Sequence, residues 1–437
     1  MLITDIIDKK RRNKSLSVKE ISRFVQGIGD FSVSDGEIAA FAMAATINGL
    51  NVDETTNLAT EMIKSGIIID WGDISGGLKV TDVYSTLSVG NKMNIIIPPI
   101  LAALGAIVPK VGESSGVNYS GYGTLDKIVG IRGYNPSTSL DYLKKVICKT
   151  RCAIISPSEE LVPVERRFYP IRCMTAANTN PGFTAAAMLS RSLCSGIESL
   201  TVNINVGNGS LYRTAAEAEQ VISYIKTVAG NFKLPLTIVT CNSDYIFGKN
   251  VGNSLELKEI IDYFKSSPEN RNSVIHDRVL AIAGQSLILN GLATDPEDAR
   301  LKIESILISG LALDILAAMT ESFGGPADFV DYPDAYLHTS LYAKPVAAPR
   351  AGYISAVDSY TIGQIARQLM ENEGHFDYGA GLEGIVSVGD KIESGEPLCV
   401  IHGSTPSVVE KCEHEFLAAV TITDAPPKIE KLILDIQ

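Results

Sequence analysis

Residues 82–92 read Asp-Val-Tyr-Ser-Thr-Leu-Ser-Val-Gly-Asn-Lys, and an apolar run over residues 95–108 follows almost at once. Three small hydroxyl residues (Ser85, Thr86, Ser88), a glycine (Gly90) and the start of a helix make a loop suited to holding an anion. Free backbone N–H groups and the positive end of the helix dipole both attract negative charge there. A purely structural reading is open as well, in which Ser85 and Thr86 do no more than cap the following helix.

Such a loop needs a scaffold. At 437 residues the chain is long enough for two or three domains and a large core. Its 45% hydrophobic and 20% charged content is that of an ordinary soluble enzyme. A net charge of −12 argues against a surface for nucleic acid or anionic membrane, either of which needs a basic footprint. The apolar run is short for a bilayer span and contains Pro98 and Pro99. At the N-terminus the basic residues come after the apolar ones, the wrong order for a signal peptide. Seven cysteines are scattered, with Cys148 and Cys152 four apart rather than in a CxxC, and the five histidines form no zinc spacing. Reduced thiols in a cytoplasm are expected.

The order of elements follows from patterning. Residues 1–65 carry helical spacing, with capping boxes at Ser17–Glu20 and Ser34–Glu37 and a further helix start at Asp53. From about 80 to 260, strand-like runs (153–156, 200–206, 236–240) alternate with helical ones, which predicts βαβ units and a mostly parallel sheet. Residues 175–193 return to helix and break that alternation. Beyond about 341, short strands are punctuated by Gly and Pro in the manner of a barrel-sandwich domain. No lysine stands at a hairpin tip, which argues against a carrier role.

The whole arrangement resembles the pyrimidine-nucleoside phosphorylases (thymidine phosphorylase and relatives), whose phosphate loop reads Asp-Lys-His-Ser-Thr-Gly-Gly-Val-Gly-Asp-Lys. Asp82, Ser85, Thr86, Val89, Gly90 and Lys92 match it; Val83, Tyr84, Leu87, Ser88 and Asn91 depart from it. Further matching segments keep their order and spacing: residues 121–127, 169–172, 187–191, 203–209, 252–256 and the C-terminal Gly-rich stretch. The longer spacing from Ser114-Ser115 to Asp126 is similar to the archaeal nucleoside-monophosphate phosphorylases. The resemblance implies an α/β fold with two lobes: a small all-α lobe (1–65 plus 163–193), a larger α/β lobe with a central, mostly parallel sheet (66–162 plus 194–335), and a C-terminal α+β barrel-sandwich-like subdomain (341–437). It also implies a cleft that closes on substrate, and a homodimer built through the helical lobe.

Carried over residue by residue, the resemblance implies an anion site of Ser85, Thr86, Ser88, Lys92, Ser114, Ser115 and Thr124, with phosphate as co-substrate and no other cofactor. The family's phosphate-binding lysine is Val83. The base-recognition positions are Arg172, Ala187 (for Ser) and Arg191 (for Lys). Two arginines in one cleft can grip carbonyl oxygens or an anionic group. Tyr84, in place of His, is a candidate for stacking on or hydrogen-bonding to a base, or for a catalytic part. Asn242 replaces a family Asp and cannot transfer a proton, so a general-acid role would pass to Asp244. Glu256 matches a residue that in part of the family helps hold a monovalent cation. The expected function is that of a pentosyltransferase acting on the N-glycosidic bond of a pyrimidine-type or atypical nucleoside, with an altered phosphate site. Two alternatives stay open: a non-catalytic nucleoside- or nucleotide-binding protein, and a glycosidic-bond enzyme with another acceptor.

Overall fold

The computed structural model describes residues 1–114, 123–372 and 374–437. Its helical lobe is built from Ile3–Arg11, Val18–Gly29, Asp35–Asn48 and Val52–Lys64. Both predicted capping boxes form, Ser17 with Glu20 and Ser34 with Glu37. The next helix begins at Val52 rather than Asp53, because Asn51 is the cap: its side chain accepts from the Glu54 N–H while the Glu54 carboxylate accepts from the Asn51 N–H. Two helices from later in the chain complete the lobe. Pro181–Cys194 packs on Val52–Lys64, and Pro163–Met174 packs on Val18–Gly29 and Asp35–Asn48. Aromatic side chains hold the two sequence segments together. Phe24 lies 3.9 Å from Phe41 and 6.1 Å from Phe168, and Phe168 meets Phe183 edge-on at 5.3 Å.

The α/β domain is a parallel sheet with β1 (Thr81–Ser85), β4 (Ser199–Val206) and β5 (Leu236–Asn242) side by side. The parallel pair β2 (Val108–Val111) and β3 (Cys152–Ile155) joins β1 through a bridge between Val80 and Ile107. These strands are buried along nearly their whole length, as expected where helices cover both faces. The single apolar run after the loop serves two elements, the buried helix Met93–Ala103 and then β2. Among the described residues no single helix is long and apolar enough to cross a membrane.

Among the described residues, the C-terminal subdomain holds two three-stranded antiparallel sheets, a short two-stranded pair (Glu371–Asn372 with His375–Phe376) and two helices, Ser359–Met370 and Pro406–Ala419, around its own core of Val346, Ile354, Ile362, Leu398 and Phe416. Two features connect it to the rest. Val89, Ile246 and Val251 of the α/β domain belong to this second core. The strand Ile433–Ile436, expected within the subdomain, instead pairs antiparallel with β5, so that the outer edge of the parallel sheet is covered.

Candidate functional site

The anion loop leaves β1 and ends on helix Met93–Ala103, as the sequence predicts. Its polar groups are satisfied from within the protein. Ser85 Oγ donates to Asn203 Oδ1 at 2.6 Å and accepts from Asn91 Nδ2 at 2.8 Å and Asn205 Nδ2 at 3.3 Å. Thr86 Oγ1 accepts from the Asn205 backbone N–H at 2.9 Å, and the Thr86 carbonyl accepts from the Asn205 and Asn91 amides at 2.6 and 2.9 Å. Ser88 Oγ lies 2.9 Å from Ser243 Oγ. The three hydroxyl residues are all buried. Thr124 is buried at the start of the short helix Thr124–Ile128, and Ser114 donates to Asp126 of the same helix. Ser115 lies outside the described residues.

Neither nearby lysine faces the loop's hydroxyls. Lys110 pairs with Asp82 at 3.3 Å and donates to the Val83 carbonyl at 2.6 Å. Lys92, expected among the anion ligands, points the other way, and its ammonium is enclosed by the carbonyls of Gly90 (2.7 Å), Phe247 (2.5 Å) and Asn250 (3.1 Å) and by Glu259 Oε2 (2.9 Å). Gly90 adopts φ +72°, and a Cβ there would lie 3.2 Å from the Phe247 carbonyl, so the two loops approach this closely only with glycine. Glu256 pairs with the Lys127 ammonium at 2.7 Å, and Lys127 also donates to the Asn91 carbonyl at 2.6 Å. The monovalent cation that the resemblance implies at Glu256 therefore does not fit these residues, because two lysine ammoniums already take the carboxylates and loop carbonyls that would ligate it.

At the other end, Tyr84, Thr86, Leu87, Tyr169, Arg172, Ala187 and Arg191 surround one small cavity of about 20 Å³ between the helical lobe and the α/β domain. The space would take a water but not a nucleoside, so a larger ligand requires the lobes to part. All four residues expected for base recognition, Tyr84, Arg172, Ala187 and Arg191, line it. What the sequence reading missed is their partners. Glu165 Oε1 accepts from Arg172 Nη2 at 2.5 Å and from Arg191 Nη1 at 3.2 Å, and Glu113 Oε2 pairs with Arg191 Nη2 at 2.8 Å. Two guanidiniums are thus balanced by two carboxylates, all buried. Glu165 and Arg172 stand seven apart on one helix and so share a face, a signal that was readable. Glu113 carries none beyond its place before Ser114.

Arg191 also donates to Tyr84 Oη at 3.3 Å and lies 5.6 Å from the Tyr84 ring centre. Burial raises the Tyr84 phenol pKa far above its ordinary range, the Glu113 carboxylate adds to that, and Arg191 opposes it only in part. Tyr84 is therefore a neutral phenol at physiological pH, able to hydrogen-bond or stack but not to serve as a base. Burial alone would lower the Arg191 pKa; Glu113, Tyr84 and Glu165 outweigh it and keep the guanidinium charged. Asp244 is exposed and does not line the cavity; its carboxylate accepts from the Asn208 N–H at 2.7 Å.

The comparisons with known proteins agree with this three-part arrangement. Residues 4–66 match the helical bundle domain of the glycosyl transferase family, residues 78–313 its a/b domain, and residues 353–423 the C-terminal domain of pyrimidine nucleoside phosphorylase. Among solved structures, the anthranilate phosphoribosyltransferase (TrpD) of Thermus thermophilus superposes with a TM-score of 0.55 at 13% identity, over 73% of this chain and 99% of that one. At that identity the likeness concerns the fold.

Proposed function

The chain belongs to the glycosyl transferase family, and on that premise we propose that it is a pentosyltransferase acting on the N-glycosidic bond of a pyrimidine-type or atypical nucleoside, with a weakened phosphate site. One observation carries the reading: Tyr84, Arg172, Ala187 and Arg191, from strand β1 and two helices of the other lobe, converge on a single cavity. In glycosidic cleavage the departing base gains negative charge, and buried guanidiniums with a neutral phenol are suited to stabilise it. The co-substrate is phosphate, and its site is weak on two counts. Val83 supplies no cation, and Ser85, Thr86 and Ser88 are already hydrogen-bonded to Asn91, Asn203, Asn205 and Ser243. That internal saturation favours one second reading, a nucleoside-binding protein that releases no base. We place the protein in the cytoplasm as a homodimer through the helical lobe, where Leu2, Phe31 and Ile47 are exposed.

The test is incubation of the pure protein with a nucleoside panel, with and without phosphate, while base release is followed. Slow, weakly phosphate-dependent release from one class of nucleoside is the expected result. Saturable binding without release selects the second reading, and ordinary phosphorolysis of thymidine or uridine in millimolar phosphate refutes the weakened site. The triple substitution Val83→Lys, Leu87→Gly, Ser88→Gly should raise phosphate-dependent cleavage. A restored ion pair and a closer backbone approach are together worth a factor of roughly ten to a few hundred in phosphate affinity.

A further inference from the structure

The Lys92 side chain has no solvent exposure, and four oxygens lie within 3.1 Å of its ammonium, with Glu256 Oε2 at 3.9 Å as a fifth neighbour. An ammonium has only three N–H groups. Three backbone carbonyls from two separate loops and a carboxylate around one nitrogen form the coordination sphere of an ion more than a set of paired hydrogen bonds. The sphere is held in place independently. Glu259 accepts from the Lys249 and Asn250 backbone N–H groups at 2.6 and 3.1 Å, and the neighbouring Lys127–Glu256 pair balances the remaining charge. The same residues reach the third domain: Asn250 Oδ1 accepts from the Gly384 N–H at 2.9 Å, and Val251 bridges to Leu382.

We infer that the Lys92 ammonium is a covalently tethered internal cation, standing where a free monovalent ion would otherwise be needed to fix residues 88–92 against residues 246–250. Held by its own chain, this cation carries no cost of capture from solution, and the loop is assembled in any salt. Lys92 is a positioning residue; it does not touch the cavity lined by Arg172 and Arg191. The inference holds whether or not the cleft turns over a nucleoside.

A consequence separates this role from an ordinary buried ion pair. An ammonium and a potassium ion are close in size, so removing the side chain should leave an oxygen cage that a free ion can enter. In a sodium-free choline buffer, Lys92→Ala should lower the unfolding temperature by several degrees. Potassium or ammonium chloride should restore at least half of the loss, and lithium or choline chloride at equal ionic strength should not. Lys92→Met, whose side chain still fills the cage, should stay destabilised in every salt. The unaltered protein should respond equally to all of them. The inference is overturned if Lys92→Ala is rescued by no ion or by all alike, or if the unaltered protein is itself stabilised selectively by potassium. Should Lys92→Ala not yield folded protein, crystals of the unaltered protein grown in rubidium chloride decide. An anomalous peak among the Gly90, Phe247 and Asn250 carbonyls refutes the inference; no peak, together with equal stability in all salts, supports it.

Discussion

At one end of the cleft two guanidiniums meet two carboxylates; at the other, the hydroxyls of Ser85 and Thr86 meet the amides of Asn91, Asn203 and Asn205. Both ends are electrically quiet, but by different means. Charges balanced by charges are fragile, since removing one leaves another charge buried and alone, whereas removing one dipole strands only a neutral group, at a smaller cost. The Arg end thus keeps strong groups that a ligand can recruit, while the Ser end uses its groups on itself.

The sharpest way to break this comparison is at Arg172. Arg172→Met should destabilise the protein by about 3–5 kcal/mol in urea unfolding, because Glu165 loses its closest cation in a buried site. Adding Glu165→Gln should recover part of that loss, since Arg191 and Glu113 remain a neutral pair. Equal losses in the single and double variants would mean that packing, not charge, is what Arg172 contributes.

A smaller effect is expected from alkali at the amide end. Cys241 on β5 is buried, and burial pushes its thiol up to about 11, against the opposing Arg278 and Asn203. Its folded pKa is raised, so its contribution is complete below the ordinary thiol value of about 9 and is lost as pH rises towards 11. Stability should fall by roughly 3 kcal/mol at most over that window. Cys241→Ala should flatten the pH profile by that amount; an unchanged slope would place the alkaline loss elsewhere.

The smallest expected change is Ser88→Ala. Only one hydroxyl pair is lost, so unfolding should shift by about 0.5–1.5 kcal/mol. A cost as large as that of Arg172→Met would erase the distinction between the two ends.

Much of this was legible beforehand, for identifiable reasons. Helix starts at Ser17 and Ser34 are local chemistry, and both formed. The strands over residues 200–206 and 236–240 are short, mostly alternating runs set between helical segments, the mark of βαβ units, and both are there with β1 beside them. The four cleft residues Tyr84, Arg172, Ala187 and Arg191 were readable through the resemblance, which carries three-dimensional information that spacing alone does not. Partners were less readable. Glu113 meets Arg191 from a distant part of the chain with no periodic relation to it. The destination of the Lys92 side chain depends on a loop, residues 246–250, whose Ile-Phe-Gly-Lys-Asn sequence carries no signal for a carbonyl contact. The strand Ile433–Ile436 pairs outside the domain that its position suggests, for the same reason: an edge strand's pattern says that it pairs, not with what.

That returning strand gives the protein a timing problem. Thr237 Oγ1 hydrogen-bonds to the Gln437 carbonyl, 200 residues away in the chain. At roughly 5–20 residues per second of synthesis, β5 emerges about 10–40 s before the segment that covers it. During that interval its outer N–H and C=O groups form an open template between nascent chains. Crowded expression should therefore be the condition under which this protein aggregates, even where the finished molecule is stable.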